Sequence, residues 1–378
     1  MTTSGAKLRI VLVSQFALPK ICGIAAIVDQ VARKLVERGH DVTHVASSWG
    51  RGESPAAVPY RLVTLPVWNP LEPRLGVPYP MFPPRALWRE LRELIESADV
   101  FHTHGFLSQT SSAGLFMTRR RRTAGVLTEH VGHVPYANPL IDTVESLAIA
   151  TFGRVTARMA DAIVTYNATV EATMRRIAPD VRFAHIENGV DTVRYRPPAD
   201  DERARLRAEL GWDEHPHVLF VGRLVDKKGA PIAIEAARLA GGAFRLVLVG
   251  PGAPPPAHPD VIWLGAMSQE RVAEIYRAAD AFVLPSTGEG FPLSAQEALA
   301  SGLPVVLSDE PAYHPILEGA GETVILAKRD ARSFADAVQR AIALPPPVRA
   351  AATAFARGRF SWDASAEQLL ELYHSLCA

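Results

Sequence analysis

The sequence predicts an α/β fold built from two doubly wound domains. Three observations carry this. Short, almost wholly apolar runs alternate with segments of helical periodicity, and the alternation comes in two separate rounds. That pattern belongs to parallel sheets covered by helices on both faces. A stretch of prolines and acids, Tyr195-Arg196-Pro197-Pro198-Ala199-Asp200-Asp201, separates the rounds and reads as a linker. The chain has 378 residues, and at about 150 residues per domain that leaves room for two or three domains, each with its own core.

The first round opens with a strand over 8–13, apolar nearly throughout. After a loop at 17–23, Ile24, Ile27, Val28, Val31 and Leu35 recur at helical spacing, and Gly39 is a natural stop. A strand over 42–46 completes a βαβ unit. Further strands are expected at 61–67, 99–102, 126–128 and 162–165. The second round runs strand 218–222, helix 231–239, strands 245–249 and 261–264, helix 269–279, strand 281–284, helix 293–300 and strand 304–307. Pro345-Pro346-Pro347 interrupts the C-terminal helical region. The last helix begins near Ser361-Trp362-Asp363 and carries Leu369, Leu370, Leu372 and Tyr373. In such folds a ligand sits outside the carboxyl ends of the strands, here in a cleft between the domains.

Composition narrows the function. Hydrophobic residues make up 48% and charged residues 21%, which excludes a mainly disordered chain. No apolar run approaches the roughly 20 residues of a membrane span. The N-terminus lacks a charged segment followed by a long apolar one, so a cytoplasmic protein is expected. The 40 lysines and arginines balance 40 acids, which disfavours a nucleic-acid binder. Two cysteines, Cys22 and Cys377, are too few for a disulfide framework or a four-cysteine zinc site.

Two stretches carry chemistry. In Glu289-Gly290-Phe291-Pro292-Leu293-Ser294-Ala295-Gln296-Glu297, two carboxylates flank a glycine loop and a helix start. Free amides at a helix N-terminus suit a phosphate. Glu289 could accept from sugar hydroxyls and Glu297 from a ribose. The plainer alternative is that Ser294-x-x-Glu297 is a capping box and Glu289 a loop carboxylate. In Gly222-Arg223-Leu224-Val225-Asp226-Lys227-Lys228-Gly229, Arg223 and Lys228 are cations on a strand-to-helix loop. They could neutralise a diphosphate and stabilise it as a leaving group. The alternative is a solvated basic loop. The spacing is not that of a P-loop.

Together these stretches resemble the GT-B glycosyltransferase family 4, retaining enzymes that use nucleotide sugars, through an Arg-x4-Lys-Gly and a Glu-x7-Glu element. Asn188-Gly189-Val190-Asp191, Tyr276-Arg277-Ala278-Ala279-Asp280, Ser301-Gly302-Leu303-Pro304 and Phe360-Ser361-Trp362-Asp363 are similar to further family stretches, so the likeness spans almost the whole chain. It implies a GT-B fold of two Rossmann-like domains facing a central cleft. Residues 1–194, with the C-terminal helix 361–378 packed back on them, form the acceptor side. Residues 195–360 form the nucleotide-sugar side.

The resemblance also assigns roles. Arg223 and Lys228 bind the donor diphosphate, Glu297 the ribose and Glu289 the donor sugar, assisted by the backbone of Gly290, Phe291 and Pro292. Gly250 and Trp263-Leu264-Gly265 lie near the nucleotide, though Trp263 alternatively reads as a buried strand residue. The family's double glycine after the first strand corresponds to Cys22-Gly23, so Gly23 faces the donor phosphates while Cys22 departs from the pattern. His130, after Thr128-Glu129, takes the place of a histidine near the transferred sugar. His133 is its competitor. His104 and His133 are acceptor-side candidates, while for His102 and His133 an ordinary satisfied histidine is the alternative. The run Arg119 to Arg122 reads as cations at a helix C-terminus in preference to an anionic-lipid contact.

The expected activity is transfer of a hexosyl unit from a UDP- or GDP-sugar to an acceptor hydroxyl with retention. The acceptor is a sugar, a lipid-linked molecule or a small metabolite. Neither a cofactor nor a metal is expected, nor a nucleic-acid partner. Peripheral membrane contact stays open. Two rivals share the likeness: a non-catalytic nucleotide-sugar-binding subunit and a nucleotide-sugar epimerase. A nicotinamide dehydrogenase is disfavoured, because no Gly-x-Gly-x-x-Gly follows the first strand.

Overall fold

The structure is a computed structural model that describes residues 6–18, 23–47, 57–70, 79–130 and 139–378. The chain divides into two compact units, Met1–Asn188 with Trp362–Ala378, and Gly189–Ser361.

The first unit is a seven-stranded parallel sheet: β1 (Arg9–Val13), β2 (Asp41–Ser47), β3 (Arg61–Leu65), β4 (Val100–His104), β5 (Ala124–Glu129), β6 (Ala162–Thr165) and β7 (Arg182–His185), in the order β3-β2-β1-β4-β5-β6-β7. The central strands are buried on both faces, which explains their continuous apolar runs. Helix Gly23–Glu37 packs inward through Ala25, Ile27, Val28, Val31 and Leu35. Helix Trp362–Cys377 belongs to this unit. It packs against Gly23–Glu37, with the Asp363 carboxylate 3.0 Å from Arg38 and 3.3 Å from Lys34. Its Ser365 hydroxyl donates to the Glu187 carbonyl at 2.5 Å.

The second unit is a six-stranded parallel sheet: β8 (His217–Val221), β9 (Arg245–Val249), β10 (Val261–Gly265), β11 (Ala281–Leu284), β12 (Val305–Ser308) and β13 (Val324–Ala327), in the order β10-β9-β8-β11-β12-β13. Phe220, Phe244, Phe282, Phe334, Tyr276 and Tyr313 fill its core. Tyr195 is packed there too, its ring edge-on to Tyr276 at 5.6 Å. Asp280 ties the amino end of β11 to Arg203, Arg207 and the His217 amide.

Strand order reverses at β1/β4 in one unit and at β8/β11 in the other. Loops leaving the carboxyl ends of such strands diverge and open a crevice. The loops after β8 and β11 are the two stretches singled out from sequence. Trp263 corrects an expectation. It is 38% exposed, because β10 is an edge strand with one flank unpaired. Among the described residues, no helix is long and apolar enough to cross a membrane.

Candidate active site

In the second unit the geometry starts from three glycine contacts. After β8, the Gly222 amide donates to Val249 O at 2.9 Å and the Leu224 amide to Pro251 O at 2.9 Å, laying the loop along the end of β9. Gly250 permits this: a Cβ there would stand 2.0 Å from the Gly222 carbonyl oxygen. Leu264, half-buried, precedes Gly265, whose carbonyl accepts from the Gly250 amide at 2.8 Å. The β8 loop then makes a 3-10 turn over Asp226–Lys228 and ends at Gly229 with φ +75°. A Cβ on Gly229 would lie 2.2 Å from the Pro285 carbonyl oxygen, so backbone meets backbone and the two loops touch.

That contact brings the charges together. The Thr287 amide donates to Lys227 O at 3.0 Å, and Lys228 Nζ stands 3.0 Å from Glu289 Oε1. The side chains are 21% and 12% exposed, so the pair is only weakly screened by water. Arg223 is exposed at the start of the same loop. Arg329, which no motif marks, clamps both loops: Nε donates to Pro285 O at 2.9 Å and Nη2 to Asp226 O at 2.5 Å. It grips carbonyls, which any sequence supplies, so only the folded chain reveals it.

Phe291 is turned inward, stacked on Phe360 and edge-on to Tyr313, with ring centroids 5.4 Å away in each case. Its ring anchors the loop, and Gly290 and Pro292 beside it are also buried. Helix Leu293–Ala300 begins after Pro292, which has no side-chain cap. Its first amides therefore lack an intrahelical partner. The capping-box alternative is corrected here. Ser294 lies inside the first turn, and Glu297 faces Tyr276 instead, whose hydroxyl is 3.1 Å from Glu297 Oε2 and 2.9 Å from Ser294 O.

Burial pushes the Glu297 carboxyl up to about 7, against the hydrogen bonds from Tyr276 and Tyr195 and the charge of Arg194, which favour its charged form. The sign of the consequence follows. Between about 4.5 and about 7 the folded chain holds a proton that the unfolded chain has released. Stability therefore falls as pH rises through that window. Glu297→Gln is expected to flatten this dependence in denaturant melts at pH 5 and pH 8. An unchanged slope would place the titration elsewhere.

The first unit contributes a histidine stack. His102 and His104 sit on β4 and His130 follows β5. Ring centroids are 4.6 Å apart for the first pair and 5.2 Å for His104 and His130, whose Nδ1 and Nε2 are 3.0 Å apart. His102 is satisfied by Tyr373 and Thr128, each at 2.6 Å, so it is the ordinary buried histidine that the sequence allowed. Burial lowers His102 and His130 to about 3 and His104 well below its usual value. The stack is neutral at physiological pH. Glu129 accepts from the His130 amide at 3.0 Å and from the Phe106 amide at 3.2 Å, fixing the strand end. Gly23 opens helix Gly23–Glu37 and is exposed. Cys22 and His133 lie outside the described residues. Among those described, no cluster of three histidines, cysteines or acids is arranged to hold a metal.

Comparison with known proteins fits this geometry. The profile of Glycosyltransferase Family 4 matches residues 21–194, and that of Glycosyl transferases group 1 matches residues 215–343. The D-inositol 3-phosphate glycosyltransferase of Acidothermus cellulolyticus is 31% identical, covering 94% of this chain and 86% of its own. The chain belongs to the group 1 glycosyltransferases of GT-B fold. Another relative of this glycosyltransferase is the GDP-mannose-dependent alpha-mannosyltransferase of Mycobacterium tuberculosis, 31% identical over 80% of this chain and 79% of its own. Sucrose-phosphate synthase from Thermosynechococcus elongatus shares the fold, with a TM-score of 0.77 at 22% identity, over 98% of this chain and 99% of that one.

Proposed function

We propose that this glycosyltransferase moves a hexosyl unit from a nucleotide diphosphate sugar to an acceptor hydroxyl with retention of configuration. The observation that carries the reading is the shielded Lys228–Glu289 pair, knitted together at the carboxyl ends of β8 and β11. The bond between the anomeric carbon and the diphosphate oxygen breaks, and its electron pair leaves with the diphosphate. The acceptor oxygen bonds to the same face of that carbon, and its proton passes to a diphosphate oxygen. Lys228 and Arg223 meet the growing negative charge, which is where fixed cations accelerate most. A diphosphate that reaches Lys228 exchanges one anionic partner for another, and Glu289 is then turned to the sugar hydroxyls. Gly250, Leu264 and the amides around Gly290, Phe291 and Pro292 serve the nucleotide and the sugar.

We assign Gly23 to the donor phosphates and His130 to a neutral hydrogen bond with the transferred sugar. A neutral ring adds no positive charge where the anomeric carbon becomes cationic. His104 and His133 remain acceptor-side assignments. Glu297 accepts from the ribose best when charged, so donor affinity should increase as pH rises through about 7. The names of the relatives support a GDP-sugar as a donor and a small polyol phosphate as one acceptor class. We propose a cytoplasmic enzyme that needs no metal or other cofactor.

The test is thermal unfolding with UDP, GDP, dTDP and ADP, each with magnesium and with EDTA, followed by donor turnover. A nucleotide at 100 times its dissociation constant stabilises by about 2.7 kcal/mol, which raises the midpoint by several degrees. One base should shift the midpoint equally in both buffers. Glu289→Gln should keep that shift and lose most turnover. No shift with any nucleotide would overturn the donor-site assignment, and a shift without turnover would favour the non-catalytic subunit.

A further inference from the structure

We infer that His104 is a positioning residue for the transfer. It accepts a hydrogen bond from His130 Nε2, donates its own Nε2–H to a buried water, and so leaves His130 Nδ1 facing the sugar as a bare acceptor. The inference rests on the assignment of His130 to the transferred sugar. The two rings meet edge to edge. His104 Nδ1 and His130 Nε2 are 3.0 Å apart while the ring centroids are 5.2 Å apart, so both nitrogens lie between the ring centres. The planes differ by 26°, which lets one hydrogen bond lie close to both.

A neutral imidazole has one N–H and one bare nitrogen. The shared proton belongs to one of the two rings. Held on His104 Nδ1, it puts both rings in the Nδ1–H form. Held on His130 Nε2, it puts both in the Nε2–H form, which free histidine prefers. The second arrangement gives His104 an Nε2–H. That nitrogen is buried and has no hydrogen-bond partner among the described residues, and orphaned buried N–H groups are rare. The first unit supplies the place for a partner. His104 borders a cavity together with Thr128, Tyr166, Asn188 and Ser365, with room for about one water molecule. Water accepts from the His104 N–H, and the hydroxyls and amide around it offer the further polar partners that a buried water needs. His102 does not compete. It lies plane to plane with His104 at 4.6 Å, and its own nitrogens are engaged by Tyr373 and Thr128.

The consequence falls on His130. Its Nε2 proton is committed to His104, so Nδ1 keeps a lone pair. A lone pair accepts from a sugar hydroxyl and turns the negative end of the ring dipole toward the sugar, where the anomeric carbon becomes cationic. The other tautomer would place an N–H there. This preference grows as the cation develops, so it acts on the transition state more than on the bound donor. It is therefore read in kcat more than in KM. At 2% exposure His104 reaches no substrate itself, so its part on the acceptor side is played through His130.

The test starts with nitrogen NMR on the full chain carrying isotope-labelled histidine. Coupling across the hydrogen bond identifies the pair, and it should join a protonated Nε2 to a bare Nδ1. A crystal structure should show a water within hydrogen-bond distance of His104 Nε2. His104→Leu should abolish the coupling and keep the midpoint shift given by UDP or GDP. It should lower kcat for turnover of UDP-glucose or GDP-mannose by about tenfold or more, with KM changed by less than about twofold. His104→Asn puts an amide oxygen near the place of Nδ1, accepts from His130 Nε2–H, and should recover most of kcat. A merely structural histidine would show no such rescue. Should His104→Leu fail to fold, the wild-type coupling and His104→Asn still decide. A protonated Nδ1 as the donor, a dry cavity, or a His104→Leu protein within about threefold of wild-type kcat would overturn the inference. Full turnover in His130→Gln would overturn it together with the sugar assignment beneath it. An impaired His130→Gln beside an unimpaired His104→Leu would overturn the inference alone.

Discussion

Lys228→Ala is expected to lower kcat/KM for transfer by about a hundred- to a thousandfold, the usual loss when one preorganised charge is removed from a developing anion. The size follows from where Lys228 sits. Its ammonium is 21% exposed and 3.0 Å from the Glu289 carboxylate, so its charge is little diluted by solvent. The leaving diphosphate gains charge as its bond to sugar stretches, and a fixed cation there favours the transition state over the bound donor. The substitution has a second effect. It leaves Glu289 shielded without its cation, which should cost about 1–3 kcal/mol of stability. The two effects separate in the double variant Lys228→Met with Glu289→Gln. Neutralising both partners should return most of the stability and none of the activity. Steady-state kinetics beside denaturant melts would settle it. A Lys228→Ala protein within threefold of wild type would end the leaving-group role.

The parts of the fold that could be read in advance are those where hydrophobicity and secondary structure coincide. β6, β9 and β11, and the helix Leu293–Ala300, lie where their apolar pattern puts them, residue for residue. β4 and β5 run further than the pattern. The apolar pattern ends at 102 and 128, but the strands reach His104 and Glu129. Those last residues are polar and buried because each finds a partner just beyond the strand ends: His104 pairs with His130, and Glu129 accepts from the amides of Phe106 and His130. Hydropathy therefore stops short at the strand ends that carry candidate site residues. β7 and β13 had no signal, being four-residue edge strands with mixed, half-exposed faces. At the site, the residue types were legible and their partners were not. Nothing local places Lys228 beside Glu289, Tyr195 and Tyr276 around Glu297, or Arg329 across two loops. Ser294-x-x-Glu297 shows the converse. The letters of a capping box are present, but the N-cap is Pro292 and the helix starts at Leu293, and a short pattern does not know its own register.

Gly229→Ala should be nearly as damaging to transfer as loss of Lys228, although it removes no chemical group. Gly229 has φ +75°, and an alanine held there carries a strain of about 1–3 kcal/mol. Strain alone would only cost stability. The added Cβ also lies 2.2 Å from the Pro285 carbonyl oxygen, and that neighbour is backbone. One loop must give. If the turn Asp226–Lys228 lifts, the Thr287–Lys227 hydrogen bond breaks and Lys228 leaves Glu289. If Pro285 retreats, it pulls against the Arg329 clamp and carries the Glu289 loop away. Either movement separates the two charges, and displacements of about 1 Å at a reacting centre can cost a hundredfold in rate. Gly242→Ala is the control. Gly242 has φ +87°, yet nothing lies within 4 Å of its added Cβ. It should lose comparable stability and keep its activity. If Gly229→Ala behaves as Gly242→Ala does, the contact between the loops is structural only. If it loses activity well beyond that control, the meeting of two backbones at Gly229 is what sets the distance between Lys228 and Glu289.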